Sequence, residues 1–243
     1  NFVSGTLTIT TKAVTVTANA QSKVHGDLDP ELTYTVSPAI NTTLANNSST
    51  ITFTGSLSRT LGEDVGSYTI GIGTLTNTNF DVTFTSANLD ITRLPVTITP
   101  IATQSKTYGD SDFTLAYTAS PAVSTTLTNT TSTVTFTGSL SRTTGEDVGT
   151  YSITIGTLTN TNYDFTFTEV DFEINKRAIT LSVDNQTKIY GSVDPSLTYT
   201  ITAGSIAFGD SPITNTLTRT LGEDVGTYTI SEDNLTYGTN YIE

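Results

Sequence analysis

The stretch GEDVGSYTI at residues 62–70 decides the fold, because it returns almost unchanged twice. It recurs as GEDVGTYSI at 145–153 and as GEDVGTYTI at 222–230. A second phrase, KVHGDLDP at 23–30, recurs as KTYGDSDF at 106–113 and KIYGSVDP at 188–195. Paired phrases that return at intervals of about eighty residues predict tandem copies of one structural unit.

The phrases divide the chain into repeats. We assign residues 1–10 to the last strand of a preceding repeat, 11–91 to the first repeat, 92–174 to the second, and 175–243 to a third repeat without its last strand. The joints at Arg93 and at Lys176 and Arg177 contain no Gly/Ser-rich linker, so we expect limited bending. The sequence predicts repeats arranged end to end as a rod about 100–120 Å long.

Apolar and polar residues alternate within each repeat, as in VTVT at 14–17 and FDVTF at 80–84. This period of two predicts strands with one buried and one solvated face. No segment has helical spacing with caps, so the fold class is all-β. We expect five strands per repeat in alternating directions. The apolar positions change parity between Phe84 and Leu89, which suggests a β-bulge there.

Each GEDVG phrase leads into a tyrosine and then an alternating strand. This run resembles the tyrosine corner of immunoglobulin-like sandwiches, where the tyrosine hydroxyl donates to the backbone upstream. We therefore expect Tyr68, Tyr151 and Tyr228 each to mark one immunoglobulin-like sandwich. Isoleucine stands where antibody domains place a cysteine, and the chain has no Trp, so the antibody core itself is not expected.

Composition excludes several kinds of function. The net charge of −13 repels phosphate backbones and anionic headgroups, so we expect neither nucleic acid partners nor membrane insertion. The chain has no Cys or Met and one His, which excludes cysteine catalysis and a multi-histidine metal site. His25 occupies the position of Tyr108 and Tyr190, so we interpret it as an aromatic wedge in a turn. We predict no enzymatic activity and no catalytic residues.

The two phrases, together with a closing Asn-Phe or Asn-Tyr strand, resemble the MBG repeat family over nearly the whole chain. The resemblance implies large, repetitive, secreted or surface-anchored bacterial proteins of adhesin type, with such modules in tandem and no catalytic residues. This chain departs from the pattern at His25, Phe113 and Ser192. A function that needs all the family's groups is therefore not expected in every repeat.

Acidic residues concentrate in the two phrases and allow two interpretations. Carboxylates that meet at a joint would suit Ca²⁺ and stiffen the array. Alternatively, the acids cap turns and pair directly with basic residues. These are Arg93, Lys176 and Arg177 at the joints, and Arg59, Arg142 and Arg219, which precede each acidic loop. No other cofactor is expected. The calcium candidates are Asp27, Asp29, Glu63 and Asp64 at the first joint, and Asp110, Asp112, Glu146 and Asp147 at the second.

Three functions remain open. The first is a structural spacer, or stalk, of a bacterial cell-surface adhesin or extracellular fibre, whose partners are neighbouring repeats. The second is a module that binds glycan or protein ligands, with Tyr237 and Phe208 as spare aromatics. The third is a fibre subunit in which residues 1–10 of one copy complete a sheet in another.

Overall fold

The computed structural model describes residues 2–243, and over that range it contains strands and turns without helices. The all-β prediction is confirmed. No helix in this part of the chain has the length and hydropathy that crossing a membrane requires. Asn1 lies outside the described residues.

The first repeat contains seven strands in two sheets. They are β1 (Lys12–Ala18), β2 (Gln21–Val24), β3 (Tyr34–Ser37), β4 (Ser58–Arg59), β5 (Gly66–Gly71), β6 (Phe80–Thr85) and β7 (Ala87–Thr92). One sheet has the order β3-β1-β6 and the other β2-β7-β5-β4. The fully buried side chains of the core cluster, Val16, Ile51, Ile70 and Leu89, come from both sheets and from the connection before β4. Their burial is the main stabilising contribution.

The expectation of five alternating strands is wrong, because two extended segments each divide between the sheets. The first breaks at residues 19–20, so that β1 and β2 join different sheets. The segment from Phe80 to Thr92 breaks at Ser86, and its halves run parallel to β1 and β2. The change of parity after Phe84 therefore marks a crossing between sheets. The sequence could not distinguish this from a bulge, since both shift the apolar face by one residue.

The second repeat has the same order of elements. Its strands are β8 (Leu94–Pro100), β9 (Ser105–Thr107), β10 (Tyr117–Ser120), β11 (Ser141–Arg142), β12 (Gly149–Thr154), β13 (Tyr163–Phe167) and β14 (Asp171–Asn175). They form the sheets β10-β8-β13 and β11-β12-β14-β9.

In the third repeat, five of the seven strands have only two residues. They are β15 (Arg177–Val183), β16 (Tyr199–Gly204), β17 (Ile213–Thr214), β18 (Thr218–Arg219), β19 (Ile230–Ser231), β20 (Thr236–Tyr237) and β21 (Tyr241–Ile242). They form the sheet β16-β15-β21 and the pairs β17-β20 and β18-β19. Residues 2–10 belong to no strand and are exposed, so their assignment to a preceding repeat stays a prediction.

The chain divides into two compact units that cut across the second repeat. One unit holds the residues up to Ile98 together with Ala119–Thr137 and Thr159–Thr166. The other holds Thr99–Thr118, Gly138–Leu158 and Phe167–Glu243. The contacts between the first and second repeats described below lie within the first unit, and those between the second and third repeats lie within the second.

The tyrosine at the end of each GEDVG phrase closes its own loop. The hydroxyls of Tyr68, Tyr151 and Tyr228 each donate to the backbone oxygen four residues upstream, at 2.8 Å. The ring of Tyr68 lies over the backbone of Gly62, whose φ is +147°, and a Cβ there would overlap the ring. The first position of the phrase thus requires glycine for two reasons: the backbone has a positive φ, and the tyrosine ring leaves no room for a Cβ.

Replacement of that glycine should open the loop. We predict that Gly62→Ala destabilises residues 62–70 by more than about 1 kcal/mol, because the new Cβ meets the Tyr68 ring at a φ that favours glycine. Amide hydrogen exchange of this loop should accelerate accordingly. Gly5→Ala is the control, since no atom lies within 4 Å of a Cβ at Gly5. Equal exchange in the two variants would contradict the prediction.

Candidate functional site

Two cations and two carboxylates join the two sequence phrases in the first repeat. The Lys23 ammonium donates to Asp29 at 2.7 Å and to Glu63 at 2.6 Å. The Arg59 guanidinium donates to both Asp29 oxygens, at 2.6 and 2.9 Å, and to Glu63. Each carboxylate therefore bridges both cations, and the loop after β2 is held against the loop after β4. Charge-assisted and bidentate pairs of this kind are the strong class of hydrogen bond.

The same four-residue cluster occurs in every repeat. The lysine and arginine side chains are 3–8% exposed in the first two repeats, and the cations of the third are 17–22% exposed. In each repeat the arginine guanidinium also lies over the tyrosine ring that follows the GEDVG phrase, with its Cζ atom 5.1–5.3 Å from the ring centroid. The members are Lys106, Asp112, Arg142 and Glu146 in the second repeat, and Lys188, Asp194, Arg219 and Glu223 in the third.

The cluster changes the titration of its acids. Hydrogen bonds from arginine, followed by those from lysine, hold the pKa of Asp29 and of Asp112 below the ordinary value. In the third repeat, hydrogen bonds from Arg219 and Lys188 lower the pKa of Asp194 to about 2. These aspartates are therefore charged wherever the protein is near neutral pH.

The eight calcium candidates have different surroundings. Asp29, Glu63, Asp112 and Glu146 belong to the cation clusters, while Asp64 and Asp147 accept from asparagines and Asp110 pairs with Arg177. Asp27 is exposed, and its backbone oxygen accepts from Lys23. Within residues 2–243, no three His, Cys, Asp or Glu side chains are placed to hold a metal ion. Calcium binding stays a prediction, and the direct pairing with arginine is observed.

At the first joint, Arg93 alone separates β7 from β8. Across this joint Asn162 binds the acidic loop of the first repeat. Its side-chain amide nitrogen donates to Asp64 at 2.7 Å, and its side-chain amide oxygen accepts from the Val65 backbone N–H at 2.9 Å. The Asn162 backbone oxygen accepts from Leu94, where the new repeat begins. One asparagine thus ties the loop of one repeat to the first strand of the next.

The turn after β2 forms the second contact across the first joint. The His25 ring is buried and meets the Tyr163 ring edge to face, with centroids 5.6 Å apart. Gly26 has a φ of +91°, and a Cβ there would overlap the Leu127 side chain. Asn129 donates its backbone N–H to the Gly26 oxygen and its side-chain N–H to Glu63. The turn therefore fits closely into the second repeat.

The second joint repeats this arrangement with different side chains. Asn240 donates to Asp147 and accepts from the Val148 backbone, both at 2.9 Å. Tyr108 occupies the place of His25 and meets Tyr241 edge to face, with centroids 5.5 Å apart. Asp210 accepts from both tyrosine hydroxyls at 2.8 Å.

The residues predicted at the joints have unequal roles. Arg93 donates to the Thr161 oxygen at 3.2 Å. Arg177 donates to the Tyr108 oxygen and pairs with Asp110, so it crosses the second joint. Lys176 is exposed and has no ion pair within residues 2–243.

Sequence reasoning missed the main joint residues. Asn162 and Asn240 belong to the closing Asn-Phe or Asn-Tyr strand of the repeats, and their recurrence before an aromatic residue was the available signal. The three cluster lysines recur at a fixed place in their phrase, yet they were not assigned to the acids. Phe208, interpreted as a spare aromatic, packs edge to face on Tyr108 at 5.5 Å and so belongs to the second joint.

The chain matches the MBG domain (YGX type) family three times, at residues 14–90, 96–173 and 179–242. The comparison with curated proteins gives no match. The Tyr-Gly-x signature falls on Tyr108-Gly109-Asp110 and Tyr190-Gly191-Ser192, and His25 replaces the tyrosine in the first repeat. In the first two repeats, the residues at the signature position therefore form the turn that contacts the next repeat.

Acid should remove the contribution of the cluster. A carboxylate whose folded pKa lies below its unfolded value stabilises the fold above the unfolded value and loses this effect as pH falls. For Asp194 the loss falls between pH 3.8, the ordinary value, and about 2. We predict that Asp194→Asn accelerates hydrogen exchange of residues 218–231 at pH 7, and that most of this difference from wild type is gone at about pH 2.

Asp233→Asn is the matched control, because it removes the same charge at an exposed site of the third repeat outside the cluster. Its effect should be small at both pH values. A difference in exchange rate between Asp194→Asn and wild type that stayed constant from pH 7 to about pH 2 would contradict the prediction. It would show that the ion pairs do not govern the stability of the loop.

Proposed function

Because the chain belongs to the MBG domain (YGX type) family, we propose that it is a non-enzymatic spacer in a bacterial cell-surface or extracellular adhesin. Its role is to hold successive repeats in fixed relative orientations, so that the polypeptide extends over a distance and transmits force along its length. Its partners in this role are its own neighbouring repeats.

The recurrence of one joint supports this proposal. Both junctions have a single residue between the last strand of one repeat and the first strand of the next. Both use an asparagine that binds the acidic loop, and both bury an aromatic residue from the preceding turn. A flexible tether requires none of these contacts, because it needs only exposed and polar residues.

The position of the reactive groups also favours a structural role. The one histidine is buried at a joint, where its Nδ1 lies 2.7 Å from the Glu63 backbone oxygen. The charged groups of the second repeat that line its open groove, Asp112, Arg142 and Glu146, pair with one another or with Lys106. The family is not an enzyme family, and an acidic, threonine-rich surface suits an extracellular location.

Small-angle X-ray scattering tests the spacer directly. We expect a maximum dimension of about 100–120 Å, the length of three repeats in line at about 35–40 Å each. The double variant Asn162→Ala and Asn240→Ala removes four hydrogen bonds across the joints. We predict that its scattering shows greater flexibility, with a broader distribution of interatomic distances.

Asn88→Ala is the control, since Asn88 is an exposed strand residue whose side chain makes no hydrogen bond within residues 2–243. It should scatter like the wild type. A compact wild-type particle would overturn the spacer. A double variant that scatters like the wild type would show that the asparagines do not fix the joints.

A further inference from the structure

A groove on the second repeat lies where the loop after β9 meets the loop after β11. It encloses about 350 Å³ and is open to solvent, although the second repeat has a neighbour both before and after it in the chain. Ligand sites in proteins have volumes of about 300–1,000 Å³. We call it the Phe113 groove; its lining includes Asp112, Phe113, Thr143, Thr144, Glu146 and Phe172.

Phe113 presents an aromatic ring in this groove. The residue is 47% exposed, and its ring packs on the buried ring of Phe172 with centroids 5.8 Å apart. Phe172 in turn carries the Arg142 guanidinium, whose Cζ atom lies 5.4 Å from the ring centroid. The Phe113 ring is therefore supported from inside the repeat while it stays open to solvent. A ring that is already held in place loses little freedom when a ligand covers it.

Two residues of the groove distinguish the second repeat from the other two. Phe113 stands where the first and third repeats have proline, and Thr144 stands where they have Leu61 and Leu221. Both leucines are almost fully exposed, so packing inside the repeat does not account for the change to threonine. The cation cluster beside the groove is the same in all three repeats. The second repeat therefore has an additional aromatic ring and an additional hydroxyl in one groove, on an otherwise shared framework.

Hydrogen-bonding groups surround the ring. Thr143 and Thr144 are exposed, and their hydroxyls make no hydrogen bond within residues 2–243. The side chains of Asp112 and Glu146 are 50% and 52% exposed. Each carboxylate has about four lone-pair sites, so each keeps acceptor sites beyond those that the two cluster cations use. The groove thus combines an apolar ring with donors and acceptors that face solvent.

The charge balance of the groove determines the class of ligand. The two carboxylates and two cations of the cluster already pair with one another, so an ionic ligand would have to displace an existing ion pair. The net charge of −13 also repels anions. A neutral ligand rich in hydroxyls can bond to the threonines and to the remaining carboxylate lone pairs. The C–H groups of a sugar ring are in addition attracted to the negative face of an aromatic ring.

We propose that the second repeat binds a neutral glycan in the Phe113 groove, a function beyond its role as a spacer. One sugar ring packs on Phe113, and its hydroxyls bond to Thr143 and Thr144 and to the carboxylates of Asp112 and Glu146. Because the groove is open to solvent, its ligand is a sugar unit within a chain rather than an enclosed small molecule. A peptide strand fits less well, because β11 offers only two residues for strand pairing.

Binding of the full chain to an array of oligosaccharides tests the proposal. The array carries neutral chains of hexoses and of N-acetylhexosamines, together with chains that contain uronic acids. We expect binding to neutral chains and not to acidic ones. Titration of the bound neutral oligosaccharide into the isotope-labelled protein should then shift the amide NMR signals of residues 112–113 and 141–146, which line the groove.

Substitution of Phe113 tests the role of the ring. Phe113→Pro introduces the residue that the other two repeats have, so we expect it to fold, and it should weaken binding by about tenfold or more because the sugar loses the ring that it covers. Phe113→Tyr keeps the ring and should bind nearly as the wild type does. Val123→Ala is the matched control, since Val123 is 49% exposed in the same repeat and lies outside the groove.

A protein that binds none of the neutral chains overturns the proposal, and so does a preference for the acidic chains. Equal affinity of Phe113→Pro and wild type would overturn it as well, as would amide shifts confined to residues outside the groove. These results leave the spacer function intact, because that function depends on the joints and is tested by scattering.

Discussion

The pair of cations in each repeat, buried in the first two, is the constraint on which the rest of the structure depends. Lys23 and Arg59 are almost fully covered, and a covered cation without a counter-ion costs several kcal/mol. Their carboxylates come from two loops that are far apart in sequence, so neither loop can move without exposing or unpairing a charge. The main effect of the cluster is therefore to fix the position of the two loops. Its contribution to the free energy of unfolding is smaller.

That fixed position is transmitted to the next repeat. Glu63 belongs to the cluster, and the adjacent Asp64 and Val65 bind Asn162 across the first joint. The turn that holds His25 and Gly26 follows Lys23 by only two residues. A single cluster therefore lies directly beside both surfaces that the neighbouring repeat contacts.

The sequence predicted the parts of this arrangement that depend on local pattern. Period-two alternation gave the strands, and the repeated phrases gave the tandem units and the position of each tyrosine. It did not predict that β6 and β7 belong to different sheets, because a change of parity has the same appearance in a bulge and in a crossing. The roles of Asn162 and Asn240 also escaped prediction, since their partners lie almost a hundred residues away. The lysines were missed for a related reason: a charged residue just before a turn gives no sign that folding will bury it.

The two joints show which parts of the interface can vary. The asparagine contacts to the acidic loop are the same in both, and in each joint a glycine lies closely against the next repeat. The side chains around them differ: the first joint has His25 and Asn129, and the second has Tyr108, Asp210 and Arg177. Buried ionic and hydroxyl groups demand specific partners, whereas an aromatic edge contact tolerates substitution. Each joint therefore keeps the same asparagine contact, while the groups that surround this contact differ from one joint to the next.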